Sequence, residues 1–254
     1  MPVHRLRNRI RIALRSHRGP TPEKQVLILA TARSGSNLLV SYLNHHSDVS
    51  LASEVLNPNL HIGLRKRFVT RRAVLRHIVR SVRSRGRLVS GAKFHLNQLN
   101  ERRMTVEDLH GLFPSARVIV LYRRSLAHQY VSTQVARSIG RWLDTTGSAV
   151  FEGTVHVDPQ ELLGFYHWIR EQYREVVANG WLRERGVLVA YEDMAADPQT
   201  LFGDRLFPFL GLPSSEVRTN MVKQVPHPLS KVVANYDDVR HLLHGGHSML
   251  ELEV

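Results

Sequence analysis

Short apolar runs alternate with stretches of helical periodicity along most of the chain. The run Gln25-Val26-Leu27-Ile28-Leu29-Ala30 is apolar after its first residue and stops at small and polar residues. That is the pattern of a parallel strand buried on both faces. A tight loop at 31–37 follows, and Leu38, Leu39, Tyr42 and Leu43 then recur at helical spacing, with His45-His46 at the helix end. Further strands are predicted at 49–52, 88–94, 117–122 and 187–191. Leu75, Ile78, Val79 and Val82 lie at i, i+3, i+4 and i+7, which predicts an amphipathic helix with an Arg-covered outer face. A short helix at 106–112 stops before Phe113-Pro114, and another spans 125–138.

Asp158-Pro159-Gln160-Glu161 supplies N-cap, N1 proline and N3 acid in order, so a helix starts there after a loop at 140–158. It is predicted to run to 177, with Asn179-Gly180 as its stop. Tyr166, Trp168, Tyr173 and Trp181 read as packing residues rather than base-stacking ones. Asp197-Pro198 opens another helix, 207–213 is a packed segment, and a short helix at 237–243 closes the chain. Alternating strands and helices imply an α/β fold, a three-layer sandwich with a central parallel sheet. Its N-terminal side is a P-loop-like strand–loop–helix. Residues 1–21 read as a basic arm and 22–254 as a single domain.

Composition changes this picture in two ways. The chain has 254 residues and no cysteine, which removes disulfides, thiolate zinc sites and thiol nucleophiles. Lys+Arg 35 against Asp+Glu 22 leaves a net charge of +13. The expected partners are therefore anionic: nucleic acid, a membrane face or a small molecule. No run is long and apolar enough for a spanning helix, and the N-terminus lacks the apolar core of a secretory signal. The expected location is cytoplasmic, with contact to an anionic membrane surface open through the basic segments. No acidic residue occurs between Glu54 and Glu101, and the stretch 65–87 is strongly basic. It reads either as a solvated helix face or as a surface for an anionic lipid, glycan or nucleic acid. His241, His244 and His247 lack a carboxylate to complete a familiar metal set, so no metal is expected.

A strand that ends in a small-residue turn and opens a helix offers unpaired N–H groups and the positive end of a dipole to an anion. Gly35 permits close backbone approach, and Ser34, Ser36 and Asn37 add polar groups. A nucleoside-triphosphate P-loop requires G-x-x-x-x-G-K-[ST], but no Lys follows Gly35, and no strand ends in an acid for magnesium. G-x-G-x-x-G is also absent. The loop would thus use Arg33 in place of Lys plus metal.

Ala32-Arg33-Ser34-Gly35-Ser36-Asn37-Leu38-Leu39 resembles the 5′-phosphosulfate loop of the sulfotransferases, P-[KR]-S-G-[ST]-[ST]-x-L. A second family element is a strand, an Arg, and a Ser eight residues later. Val118 to Tyr122, Arg124 and Ser132 have that form. Tyr191-Glu192-Asp193, Phe209 to Leu212 and Asn235-Tyr236 extend the resemblance over about 25–243. Ala32 and Asn37 depart from the usual proline and hydroxyl, and the R-K-G tail of the cytosolic animal branch is missing.

The resemblance implies 3′-phosphoadenosine 5′-phosphosulfate as donor, without metal. It places the donor's 5′ end on Arg33, Ser34, Gly35, Ser36, Asn37 and Leu38, and its 3′-phosphate on Arg124 and Ser132. Lys223, Lys231 and Asn235 are further nucleotide candidates in the tail. Some branches use Glu after the second strand as base, mainly bacterial ones acting on sugars, and Glu54 stands there. The implied acceptor is therefore a hydroxyl of a sugar or glycolipid. Burial is expected to raise the pKa of Glu54 towards a useful range. Lys93 and His95 alternate on one strand face and are candidates to assist the acceptor or the leaving group, His95 being the rival base. A P-loop-like kinase lacking the usual Lys and a basic nucleic-acid binder are the other readings. Neither shows its own motif, and nucleic acid rests on charge alone.

Overall fold

A computed structural model describes residues 24–59, 70–83, 86–140, 142, 151–223, 225 and 227–245. The expected basic arm, positions 141 and 143–150 of the 140–158 loop, positions 65–69 and 84–85 of the basic stretch, and His247 lie outside the described residues. Five parallel strands form one sheet: β1 (Lys24–Ala30), β2 (Val49–Ala52), β3 (Val89–His95), β4 (Arg117–Tyr122) and β5 (Gly186–Ala190). Their order is β2-β3-β1-β4-β5. Central β1 pairs with β3 on one side and β4 on the other, so Ala30 lies in register with both His95 and Leu121. The chain reverses its direction of travel across the sheet here. Ligands of open α/β sheets bind outside the carboxyl ends at such a point.

Period-two alternation divides the core into two layers. Leu27 and Leu29 of β1, with Val118 and Val120 of β4, face one apolar cluster. Val26, Ile28 and Ala30, with Ile119 and Leu121, face the other. The first cluster is closed by α2 (Arg71–Ser81), α3 (Leu96–Glu101), α4 (Val106–Leu112), α5 (Leu126–Ser138) and α6 (Pro159–Ala178). The second is closed by α1 (Ser36–His45) and by the segment from α8 (Tyr191–Ala196) through Leu210. This is the expected three-layer α/β sandwich.

Local chemistry sets the helix ends. Thr70, Ser125 and Asp158 cap α2, α5 and α6 through their side chains, and Thr105 and Asp108 form a full capping box on α4. Asn179 ends α6 as expected, but its side chain also accepts the Trp181 N–H at 2.9 Å and starts α7 (Gly180–Arg185), which periodicity over so few residues does not reveal. Likewise unpredicted are α3 and a π-helical turn at Leu201–Leu206. On α2 and its C-cap the most deeply buried positions are Val74, Ile78 and Val82, with Val79 slightly less so, while Leu75 is half-buried. Tyr166, Tyr173 and Trp181 pack inside, but Trp168 is 38 % exposed and departs from that expectation. The C-terminal elements are α9 (Leu229–Val232) and α10 (Tyr236–His244).

Candidate active site

The loop after β1 is held from below by buried hydrogen bonds. The Thr31 N–H donates to the Tyr173 hydroxyl at 3.1 Å, and that hydroxyl donates to Leu121 O at 2.6 Å. Gln129 Nε2 donates to Thr31 Oγ1 and Ala32 O, and Ser34 Oγ donates to Thr31 O. Burial pushes the Tyr173 hydroxyl up to about 12, so it stays protonated as a donor. Neither Tyr173 nor Gln129 stands out in the sequence as part of a site. Their signal is only a polar group at an otherwise core position.

Gly35 sits at the N-cap of α1 with φ 91° and makes no side-chain cap; the first turn carries no acid. The helix N-terminus therefore presents its dipole without a neutralising carboxylate. A Cβ on Gly35 would stand 2.3 Å from Cδ2 of Tyr191. Gly35→Ala is accordingly expected to lower stability by roughly 1–3 kcal/mol, since both the positive φ and the ring oppose it. A thermal melt checks this; an unchanged midpoint would show that Tyr191 can move aside.

Arg33 also has positive φ, 61°. Its Nε donates to Ser132 Oγ at 3.0 Å and its Nη1 to Trp142 O at 2.6 Å. The loop and the second motif therefore meet. Burial, then the charge of Arg123, lowers the Arg33 pKa to about 10, so it stays a cation at neutral pH.

Arg124 forms a bidentate pair with Asp193, its Nη2 donating to Oδ2 at 2.8 Å and its Nη1 to Oδ1. Glu192 accepts the backbone N–H groups of Arg124 and Ser125, which fastens the start of α5 to α8. The adjacent Arg123 was not singled out by motif spacing, yet it turns inward. It is 8 % exposed, lies 4.3 Å over the Tyr191 ring, and its Nη1 donates to Arg33 O at 3.4 Å. Its buried Nε makes no hydrogen bond, with Glu192 only within 4.0 Å. A buried cation so thinly compensated is expensive unless an anion completes it. This orphaned donor beside the loop fits an anionic ligand.

A second cluster faces α1 from β2 and β3. Lys93, wholly buried, donates to Glu54 Oε1 at 3.1 Å and to Asn37 Oδ1. Asn57 Nδ2 donates to Glu54 Oε2 at 2.8 Å. His95 Nε2 and Ser36 Oγ share a hydrogen bond of 3.1 Å. Burial alone would raise the Glu54 pKa, but Lys93, then His95 and the hydrogen bonds from Asn57 and Lys93, outweigh it and hold it at about 2. The expected rise is thus overturned by a lysine 39 positions away in sequence. The stabilisation from ionised Glu54 is present above its ordinary pKa and lost as pH falls towards about 2. Burial lowers Lys93, offset in part by Glu54. His95 is lowered to about 4 by burial and by Lys93, so it is neutral at pH 7.

The tail candidates are placed differently. Asn235 accepts the Val157 N–H and donates to Val157 O, both at 2.9 Å, so its amide is committed to joining two backbone segments. Lys231 is exposed on α9. Lys223 is exposed and, after burial and Arg123, helps to keep His128 in the first turn of α5 neutral. Leu38 is half-buried against the α1 cluster. Among the described residues no group of three His, Cys, Asp or Glu side chains could hold a metal, and no helix is long and apolar enough to cross a membrane.

The sequence profile described as the Sulfotransferase family matches residues 25–216. Nodulation protein H of Rhizobium meliloti is 25 % identical over 234 residues, covering 88 % of this chain and 93 % of that protein; its counterpart in strain 1021 gives the same figures. The crystal structure of a sulfotransferase from Alicyclobacillus acidocaldarius superimposes with a TM-score of 0.53 at 16 % identity, over 90 % of this chain and 93 % of that one. That likeness supports the fold. The profile spans most of the chain and includes both motifs that meet at Arg33 and Ser132, so the kinase and nucleic-acid readings fall away. The protein belongs to the sulfotransferase family and is a sulfuryl-transferring enzyme.

Proposed function

We propose that the donor is 3′-phosphoadenosine 5′-phosphosulfate and that the acceptor is a hydroxyl of a carbohydrate or glycolipid. The supporting observation is the 3.0 Å contact between Arg33 and Ser132, which joins the two anion-binding motifs at the carboxyl ends of β1 and β4. When bound, the donor supplies an activated sulfuryl group on a phosphate leaving group. The first-turn amides of α1, with Ser34, Gly35, Ser36, Asn37 and Leu38, hold its anionic 5′ end. Arg124 and Ser132 hold the 3′-phosphate, Asp193 orienting the guanidinium of Arg124. Lys223 adds positive charge beside His128, Lys231 is the other tail lysine assigned to the nucleotide, and Asn235 acts through the backbone of Val157.

Glu54 takes the proton of the acceptor hydroxyl. It is the accessible member of its pair: its side chain is 14 % exposed and that of Lys93 0 %. Lys93 fixes both Glu54 and Asn37, and His95 fixes Ser36. The acceptor oxygen bonds to sulfur as the bond from sulfur to the phosphate oxygen breaks in line. Arg33 meets the charge that grows on that oxygen. The cations already present, Arg33 and Arg123, supply the stabilisation without a metal.

Isothermal titration with 3′-phosphoadenosine 5′-phosphate, ATP and a DNA duplex in the presence of a chelator tests the donor. The bisphosphate is expected to bind best, and Arg124→Ala to weaken it by about 1.5–3 kcal/mol, the value of a charge-assisted contact. Preference for ATP, or equal binding by the variant, would overturn the assignment.

A further inference from the structure

We propose that the outer face of α2 docks the enzyme on an anionic membrane surface. Arg72, Arg76, Arg80 and Arg83 recur at i, i+4, i+8 and i+11. At 3.6 residues per turn Arg72, Arg76 and Arg80 fall within about 80° of arc, and Arg83 follows just past the C-cap Val82. Val74, Ile78 and Val82 occupy the opposite side and are buried in the core. Arg71, itself exposed, pairs with the buried Asp108 of α4. Two further contacts fix the helix: the Thr70 cap, and His77, whose Nε2–H donates to Val55 O at 2.7 Å. The last contact joins α2 to the turn carrying Glu54. The arginine stripe is therefore rigidly set beside the segment that carries the proposed base.

A helix face with Arg72 and Arg80 exposed, Arg76 half-buried between them, Arg83 half-buried just beyond the helix end and no acid suits an extended plane of negative charge. No Tyr, Trp or Phe occurs in 70–83 for base stacking, and no Asn or Gln for reading base edges, so nucleic acid fits less well. All apolar side chains of the helix point inward or are half-buried, so attachment is electrostatic, without insertion. The rest of the +13 charge attracts the enzyme towards the same surface. Docking by this face would bring the segment carrying Glu54, joined to α2 through His77 and Val55, towards the membrane, and the acceptor would then be a glycolipid within it; that last step rests on Glu54 as the base.

The test is sedimentation of the full chain with vesicles of phosphatidylglycerol and phosphatidylcholine at about 0.1 M salt. Replacing Arg72, Arg76, Arg80 and Arg83 by Gln is expected to weaken binding on the order of 10²-fold or more, since each basic residue near such a surface contributes substantially. A charge-matched control replaces the exposed Arg174, Arg183, Arg185 and Arg240 by Gln. It should lose far less. Both variants should bind 3′-phosphoadenosine 5′-phosphate as wild type, which shows that they are folded and separates failure of docking from failure of the donor assignment. Equal losses in the two variants would mean that net charge alone attracts the protein, and would overturn the proposal. So would undiminished vesicle binding by the stripe variant with lost binding to a sulfated oligosaccharide or a DNA duplex.

Discussion

Glu54→Gln is expected to retain the fold and the affinity for 3′-phosphoadenosine 5′-phosphate while losing sulfuryl transfer by about 10²–10⁴, the usual cost of removing a general base. Gln matches Glu in shape and its carbonyl oxygen can still accept from Lys93, but it cannot take a proton. A carboxylate held at about 2 is a weak base in the resting site. It can act nonetheless, because the acceptor oxygen becomes strongly acidic as it bonds to sulfur. Being ionised throughout the neutral range, Glu54 should place the acid limb of the rate profile below the ordinary carboxylate range. Lys93→Met leaves burial unopposed by its strongest counter-charge, so that limb should move to higher pH. The measurement is transfer of labelled sulfate to a panel of sugars, lipids and phenols across pH. Near-normal transfer by Glu54→Gln together with loss in His95→Asn would move the base to His95 and the acceptor towards phenols or alcohols.

Arg33→Ala is expected to lower turnover by about 10²–10³, the typical loss on removing one preorganised donor to a developing oxyanion. Donor affinity should fall much less, because the charge that Arg33 meets is larger in the transition state than in the ground state. Single-turnover rates and titration with 3′-phosphoadenosine 5′-phosphate separate the two effects. Unchanged turnover with weakened binding would reduce Arg33 to an anchor. Its left-handed backbone and its contact with Ser132 give the side chain one fixed direction, which argues for the larger role.

The strands were readable because a parallel sheet buries both faces, and such strands stand out as apolar runs bounded by turns. The helix starts were readable where a Ser, Thr or Asp cap precedes the first turn, as at Ser125 and Asp158. The strand–loop–helix at 24–45 was readable because its signal is local: a strand end, small residues, a glycine and a helix start within a dozen positions. Neighbours distant in sequence were not. Motif spacing selects Arg124, but period-two alternation sends Arg123 and Arg124 in different directions, and packing of α8 against the end of β4 decides that Arg123 is buried beside the loop. Tyr173 reads as a packing residue, and only folding brings its hydroxyl to Thr31, 142 positions away. Glu54 shows the same division most clearly. Its place after the second strand marks it as a candidate base, whereas the direction of its pKa shift depends on a through-space contact with Lys93. Coulomb attraction acts over distance in the folded chain rather than along the sequence, so tertiary structure alone decides it.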